Sequence, residues 1–95
     1  MADYAVRVEL RGYPSAEEYQ TLHSLMARKG FVQTIAGVDG QGNQKRFNLP
    51  HAVYYGSSGA DCATVRASIV QSVKAEVQAD LIVFVVQAQT WSIGS

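Results

Sequence analysis

The chain has 95 residues, which is room for one domain and too little for two. Apolar residues make up 47% of it and charged residues 17%, which excludes a disordered polyampholyte. The formal net charge is zero, which excludes binding to nucleic acid through a general basic excess; contact with RNA must come from a local patch.

Cys62 is the single cysteine, so no internal disulfide can form, and a reducing compartment is expected. Met1-Ala2-Asp3-Tyr4 lacks the basic start and apolar run of a signal peptide. The longest apolar run, Leu81 to Val86, is too short to span a bilayer. Neither end carries a lipidation signal. The expected location is therefore the cytoplasm.

Tyr4 to Arg11 alternates strictly. Tyr4, Val6, Val8 and Leu10 share one side and Ala5, Arg7, Glu9 and Arg11 the other, the pattern of a half-buried strand. Gly12-Tyr13-Pro14 stops it. Ser15 then opens a helix, with Glu18 placed to complete a capping box. Tyr19, Leu22, Leu25 and Met26 form the apolar face of that helix. Arg28 and Lys29 sit in its last turn and Gly30 caps it.

Phe31 to Val38 reads as a second strand and Asp39-Gly40-Gln41-Gly42-Asn43 as a hairpin tip. Lys45 to Tyr55 reads as a third strand, in which Pro50 predicts an edge segment, a bulge or a short kink. Gly56-Ser57-Ser58-Gly59 is a loop. A second helix runs from Ala60 or Asp61 to Val77, with Cys62, Val65, Ile69, Val73 and Val77 at helical spacing. Asp80 leads into a fourth strand, Leu81 to Gln87, and an irregular tail, Thr90 to Ser95, follows. Trp91 is expected to pack back on the body.

The order strand, helix, strand, strand, helix, strand predicts one ferredoxin-like βαββαβ domain over residues 1–95. It would be an α+β sandwich with two helices on one face of a four-stranded antiparallel sheet. The last strand is apolar on both sides. Leu81, Val83 and Val85 point one way and Ile82, Phe84 and Val86 the other. The second row is covered either by another copy, giving a homodimer, or by the tail with Trp91 and Ile93.

No metal-binding spacing and no cofactor motif is visible, so neither is expected. His23 and His51 are isolated in the sequence. Cys62 shares the buried face of the second helix and reads as a structural thiol. The Gly56–Gly59 loop before a helix is a place for an anion, or a plain capped loop. His23 borders the apolar stripe of the first helix. There it is either a half-buried polar group or one that exchanges protons near neutral pH. Arg7 and Arg11 share a strand face, and Lys45 and Arg46 follow the hairpin tip. With Tyr54 and Tyr55 they make a candidate surface for single-stranded RNA, combining charge with stacking.

Tyr13-Pro14-Ser15, Leu22-His23-Ser24-Leu25-Met26 and Gly30-Phe31 resemble the GhoS family of small antitoxins from type V toxin–antitoxin systems. The likeness continues weakly through the hairpin, Asn48-Leu49 and the start of the second helix. It implies a fold similar to the small CRISPR adaptation nucleases and an endoribonuclease that cleaves the messenger of a membrane-active toxin. The residue the resemblance marks is Arg in the family and His23 here. The CRISPR relatives carry an acidic residue after the first strand, where this chain has Arg11-Gly12-Tyr13. A metal-independent mechanism is therefore expected.

His23 and Arg28 are the candidate catalytic residues, and Arg7, Arg11, Lys45, Arg46 and Tyr54 the candidate RNA contacts. The competing expectation is a non-enzymatic dimeric module that binds another protein, such as a phage- or mobile-element-encoded inhibitor. A small-ligand regulatory domain has only the fold behind it.

Overall fold

The computed structural model describes residues 1–77 and 79–93. Its elements run β1 (Ala2–Leu10), α1 (Ala16–Arg28), β2 (Thr34–Val38), β3 (Gln44–Asn48), β4 (Val53–Ser58), α2 (Cys62–Glu76) and β5 (Leu81–Ala88). The chain is α+β.

The alternation of the first strand is realised as read. Tyr4, Val6, Val8 and Leu10 are buried, and they meet Leu22, Leu25 and Met26 of α1 and Val65, Ile69 and Val73 of α2 in one core. Both helices thus lie on the same face of β1. The capping box forms in full. The Ser15 hydroxyl accepts from the Glu18 amide at 3.1 Å, and the Glu18 carboxylate accepts from the Ser15 amide at 3.1 Å. The Asp61 carboxylate caps α2 by accepting from the Thr64 amide at 2.8 Å.

Two expectations are corrected. Gly56, Ser57 and Ser58, expected in a loop, continue β4 and pair with Tyr4, Asp3 and Ala2 of β1. The stretch Lys45 to Tyr55 is two strands, not one. Pro50 has no amide to donate to a ladder, and the chain turns at residues 50–53, where the Val53 amide bonds the Pro50 carbonyl at 3.0 Å. The sheet is divided accordingly. β4, β1 and β5 form a three-stranded antiparallel sheet in that order, and β2 and β3 form a separate antiparallel ribbon. A bridge pair joins the two. The Val32 amide donates to the Tyr55 carbonyl at 2.9 Å and the Tyr55 amide to the Val32 carbonyl at 2.8 Å.

Gly56 marks the tightest approach near this junction. A Cβ there would clash with the Gly30 carbonyl oxygen, so only glycine lets β4 run beneath the end of α1. The open face of the sheet carries Ala5, Arg7 and Glu9, opposite Val86, Phe84 and Ile82 respectively. The tail crosses part of this face. Trp91 meets Tyr55 edge-on at 5.8 Å, and the Ile93 side chain abuts Gly37. It leaves Ile82, Phe84 and Val86 exposed by 49%, 64% and 42%. No helix among the described residues is long and apolar enough to cross a membrane.

Candidate functional site: a histidine and tyrosine cluster at the base of the ribbon

The two histidines that the sequence separates are neighbours in space. His23 stands on α1, one turn after Tyr19. His51 stands in the turn between β3 and β4. Their ring centres lie 5.9 Å apart, with the planes nearly perpendicular at 87°. Tyr19 packs against His51 at 4.4 Å in a T-shaped contact. Tyr54, on the core side of β4, completes the group with its hydroxyl 2.6 Å from His23 Nδ1. The other ring nitrogen, Nε2, faces the Gln33 side-chain amide at 3.5 Å.

Burial orders the chemistry of the cluster. Tyr54 is wholly buried, and burial, reinforced by Tyr19, holds its phenol far above the usual value near 10. It therefore stays protonated and serves His23 as a fixed neutral partner. Partial burial and then the neighbouring His51 lower the His23 pKa below the usual 6.5. His23 is consequently neutral at physiological pH and competent to accept a proton. His51 is exposed to solvent.

The turn that carries His51 is strained. Ala52 has φ of 60°, the left-handed region, and occupies the third position of the Pro50–Val53 turn, where glycine is usual. Ala52 is also buried, and its carbonyl accepts from the Val8 amide at 3.0 Å. The surrounding structure thus fixes a conformation that the alanine itself resists.

The remaining candidate residues are spread more widely. Arg28 lies five positions from His23, about 140° around the helix. Its guanidinium bonds the Glu76 carboxylate at 2.6 and 2.9 Å, tying α1 to α2, so the structure does not bring it to His23. Arg46 is nearer. It bonds the Thr34 carbonyl and hydroxyl at 3.0 Å each, and Thr34 adjoins Gln33. Lys45 lies over the Phe47 ring at 5.4 Å on the same ribbon. Arg7 is on the open sheet face opposite Phe84 and Val53. Arg11 is exposed, 3.9 Å from Glu9. Tyr54 offers no free ring for stacking; its neighbour Tyr55 points to the opposite face, beneath Trp91.

Sequence reasoning missed His51, Tyr19 and Gln33 as members of the site. Pro50-His51-Ala52 gives no periodic signal, and the contact of His51 with α1 is set by the turn. Among the described residues no group of three or more His, Cys, Asp or Glu side chains is gathered as a metal ion requires. A hollow of about 260 Å³, lined by Lys29, Ser58, Thr64 and Ser68, lies away from the cluster, and one of about 160 Å³ beneath Trp91 and Ile93 includes Tyr54 in its lining. Cys62 is half-buried against the core.

No protein-family model matches the chain, and no curated protein is significantly similar to it.

Proposed function

We propose that the protein is a metal-independent endoribonuclease and RNA-binding regulator acting on single-stranded RNA, of the GhoS antitoxin type, in the cytoplasm. The observation that carries this reading is the His23–His51 pair, backed by the Tyr54 hydroxyl, with Gln33 against His23 and Arg46 bonded to the adjacent Thr34. RNA carries its own nucleophile, the 2′-hydroxyl. A neutral imidazole that takes the proton from that hydroxyl promotes cleavage without an activated water. The open setting of the cluster suits a strand that passes across the surface, where an enclosed pocket would not. Arg46, with Lys45 on the same strand, supplies cationic contacts to the phosphates on either side of the cut.

The ferredoxin-like reading of the fold belongs to the same proposal. Strand order β5-β1-β4, with Val32 bridged to β4, supports it: the ribbon then stands where the fourth strand of that sandwich would lie. The test is incubation of the purified protein with matched single-stranded RNA and DNA pools, with and without EDTA. Cleavage of RNA alone, undiminished by EDTA, is expected. Cleavage that needs a divalent ion, or that cuts both polymers, overturns the mechanism.

A second reading rests on β5. This strand is the free edge of the sheet, and Leu81 to Ala88 contains no charged residue and no proline to guard it. A homodimer that covers Ile82, Phe84 and Val86 is compatible with the ribonuclease. Alone, it would make the protein a non-enzymatic interaction module for another protein. Stoichiometric co-purification of a protein partner, with no RNA binding at moderate salt, would favour that reading.

A further inference from the structure

We propose that His51 is the second catalytic residue of this site, the general acid that protonates the leaving 5′-oxygen while His23 acts as the base. The inference rests on the ribonuclease reading above and assigns it a pair of groups instead of one. In the step, His23 Nε2 accepts the proton of the 2′-hydroxyl. The O2′–P bond forms, the P–O5′ bond breaks, and the protonated His51 ring gives its proton to O5′. The products are a 2′,3′-cyclic phosphate and a free 5′-hydroxyl, with no co-reactant consumed.

The geometry points to this division of labour. In an in-line displacement the entering and leaving oxygens lie on opposite sides of phosphorus. Each forms a hydrogen bond of about 2.8 Å to its catalyst. Two imidazoles with centres 5.9 Å apart can flank one such phosphodiester. His23 is half-buried between Tyr54 and Gln33, which pins the ring; Nδ1 is taken by the buried Tyr54 hydroxyl, and Nε2, in only a long 3.5 Å contact with the Gln33 amide, is the nitrogen left for the substrate. His51 is solvent-exposed, so water reaches its ring between turnovers. Its position is built rather than incidental. The Pro50–Val53 hydrogen bond, the Val8–Ala52 hydrogen bond and the left-handed Ala52 fix the turn, and the Tyr19 ring edge orients the imidazole.

The test compares two single-stranded RNA oligonucleotides, one ordinary and one with sulfur in place of the bridging 5′-oxygen at the cut. Sulfur leaves without protonation, so it removes the need for an acid. His51→Ala should lose at least 100-fold in cleavage rate on the ordinary oligonucleotide and recover to within a few-fold of the parent protein on the thiolate. His23→Gln should be slow on both. His51→Gln serves as a second variant, and circular dichroism checks that each variant is folded. Parent-like cleavage of the ordinary oligonucleotide by folded His51→Ala overturns the inference and leaves the ribonuclease reading standing. So does failure of the thiolate to rescue it. Absence of cleavage of either oligonucleotide by the parent protein overturns both.

Discussion

The Tyr54–His23 hydrogen bond joins stability to chemistry at the residue scale. The hydroxyl is buried, and removing its partner leaves it unsatisfied at a cost of about 1–3 kcal/mol. His23→Ala should therefore lower the unfolding free energy read from urea titration by that amount, while His23→Gln, which can still bond the hydroxyl, should lower it less. The same histidine makes stability depend on pH. Its folded pKa lies below the usual 6.5, so the unfolded chain binds more protons as the pH falls past that value. Stability should be full above about pH 6.5 and decline below it, and replacement by Gln should flatten that part of the curve. Urea titrations from pH 5 to 8 read both effects. Tyr54 works in the opposite direction. Its folded pKa is raised, so stability should also decline once the pH passes the unfolded value near 10.

Ala52 offers a second test at this scale. A non-glycine residue in the left-handed region costs about 1–3 kcal/mol, and the extra freedom of an unfolded glycine returns about 0.5–1 kcal/mol of that. Ala52→Gly should thus raise thermal stability modestly. If the strain serves to hold His51, the same change should slow cleavage.

At the scale of elements, β1, α1 and α2 were legible because each carries an unbroken period and a signal at its ends, and β5 because it is a short continuous apolar run of strand-forming residues after Asp80. Ser15 and Glu18 announce α1, and Val65, Ile69 and Val73 announce the buried stripe of α2. The ribbon was less so. The residues after β3 look strand-like on both sides of Pro50, and only the missing amide decides that the chain turns there. His51 was hidden for the same reason. Its role depends on a turn that places it against α1, and nothing in the spacing between His23 and His51 reports that contact. Arg28 shows the converse. It was a candidate catalytic residue with His23 on the same helix, but its observed partner is Glu76. Both side chains of the pair are well exposed, 64% and 42%, so Arg28→Ala should leave the stability nearly unchanged and cleavage within two-fold of the parent.

The tail can be tested as an element too. A Cβ on Gly37 would lie 2.8 Å from the Ile93 side chain, and Trp91 is the chain's single tryptophan. Gly37→Ala should loosen the tail and shift tryptophan emission to the red, while far-UV circular dichroism stays unchanged.

On the scale of the whole molecule, a 95-residue chain has a small core and gains from association. The uncovered Ile82, Phe84 and Val86 row on a free edge strand is the surface that would supply it. Phe84→Glu should convert a dimer to a monomer in size-exclusion chromatography with light scattering, without unfolding it. A parent protein that is already monomeric at micromolar concentration would contradict the dimer.

Dimer or monomer, the molecule is read as an enzyme because its fold brings His23, Tyr54 and His51 to one place. The most direct measurement is single-turnover cleavage of a single-stranded RNA in EDTA by the parent protein and by folded His23→Gln. Cleavage by the parent to a cyclic phosphate, with the variant slower by at least 100-fold, is the expected result. Equal rates for the two proteins would remove His23 from the chemistry and, with it, the ribonuclease site described above.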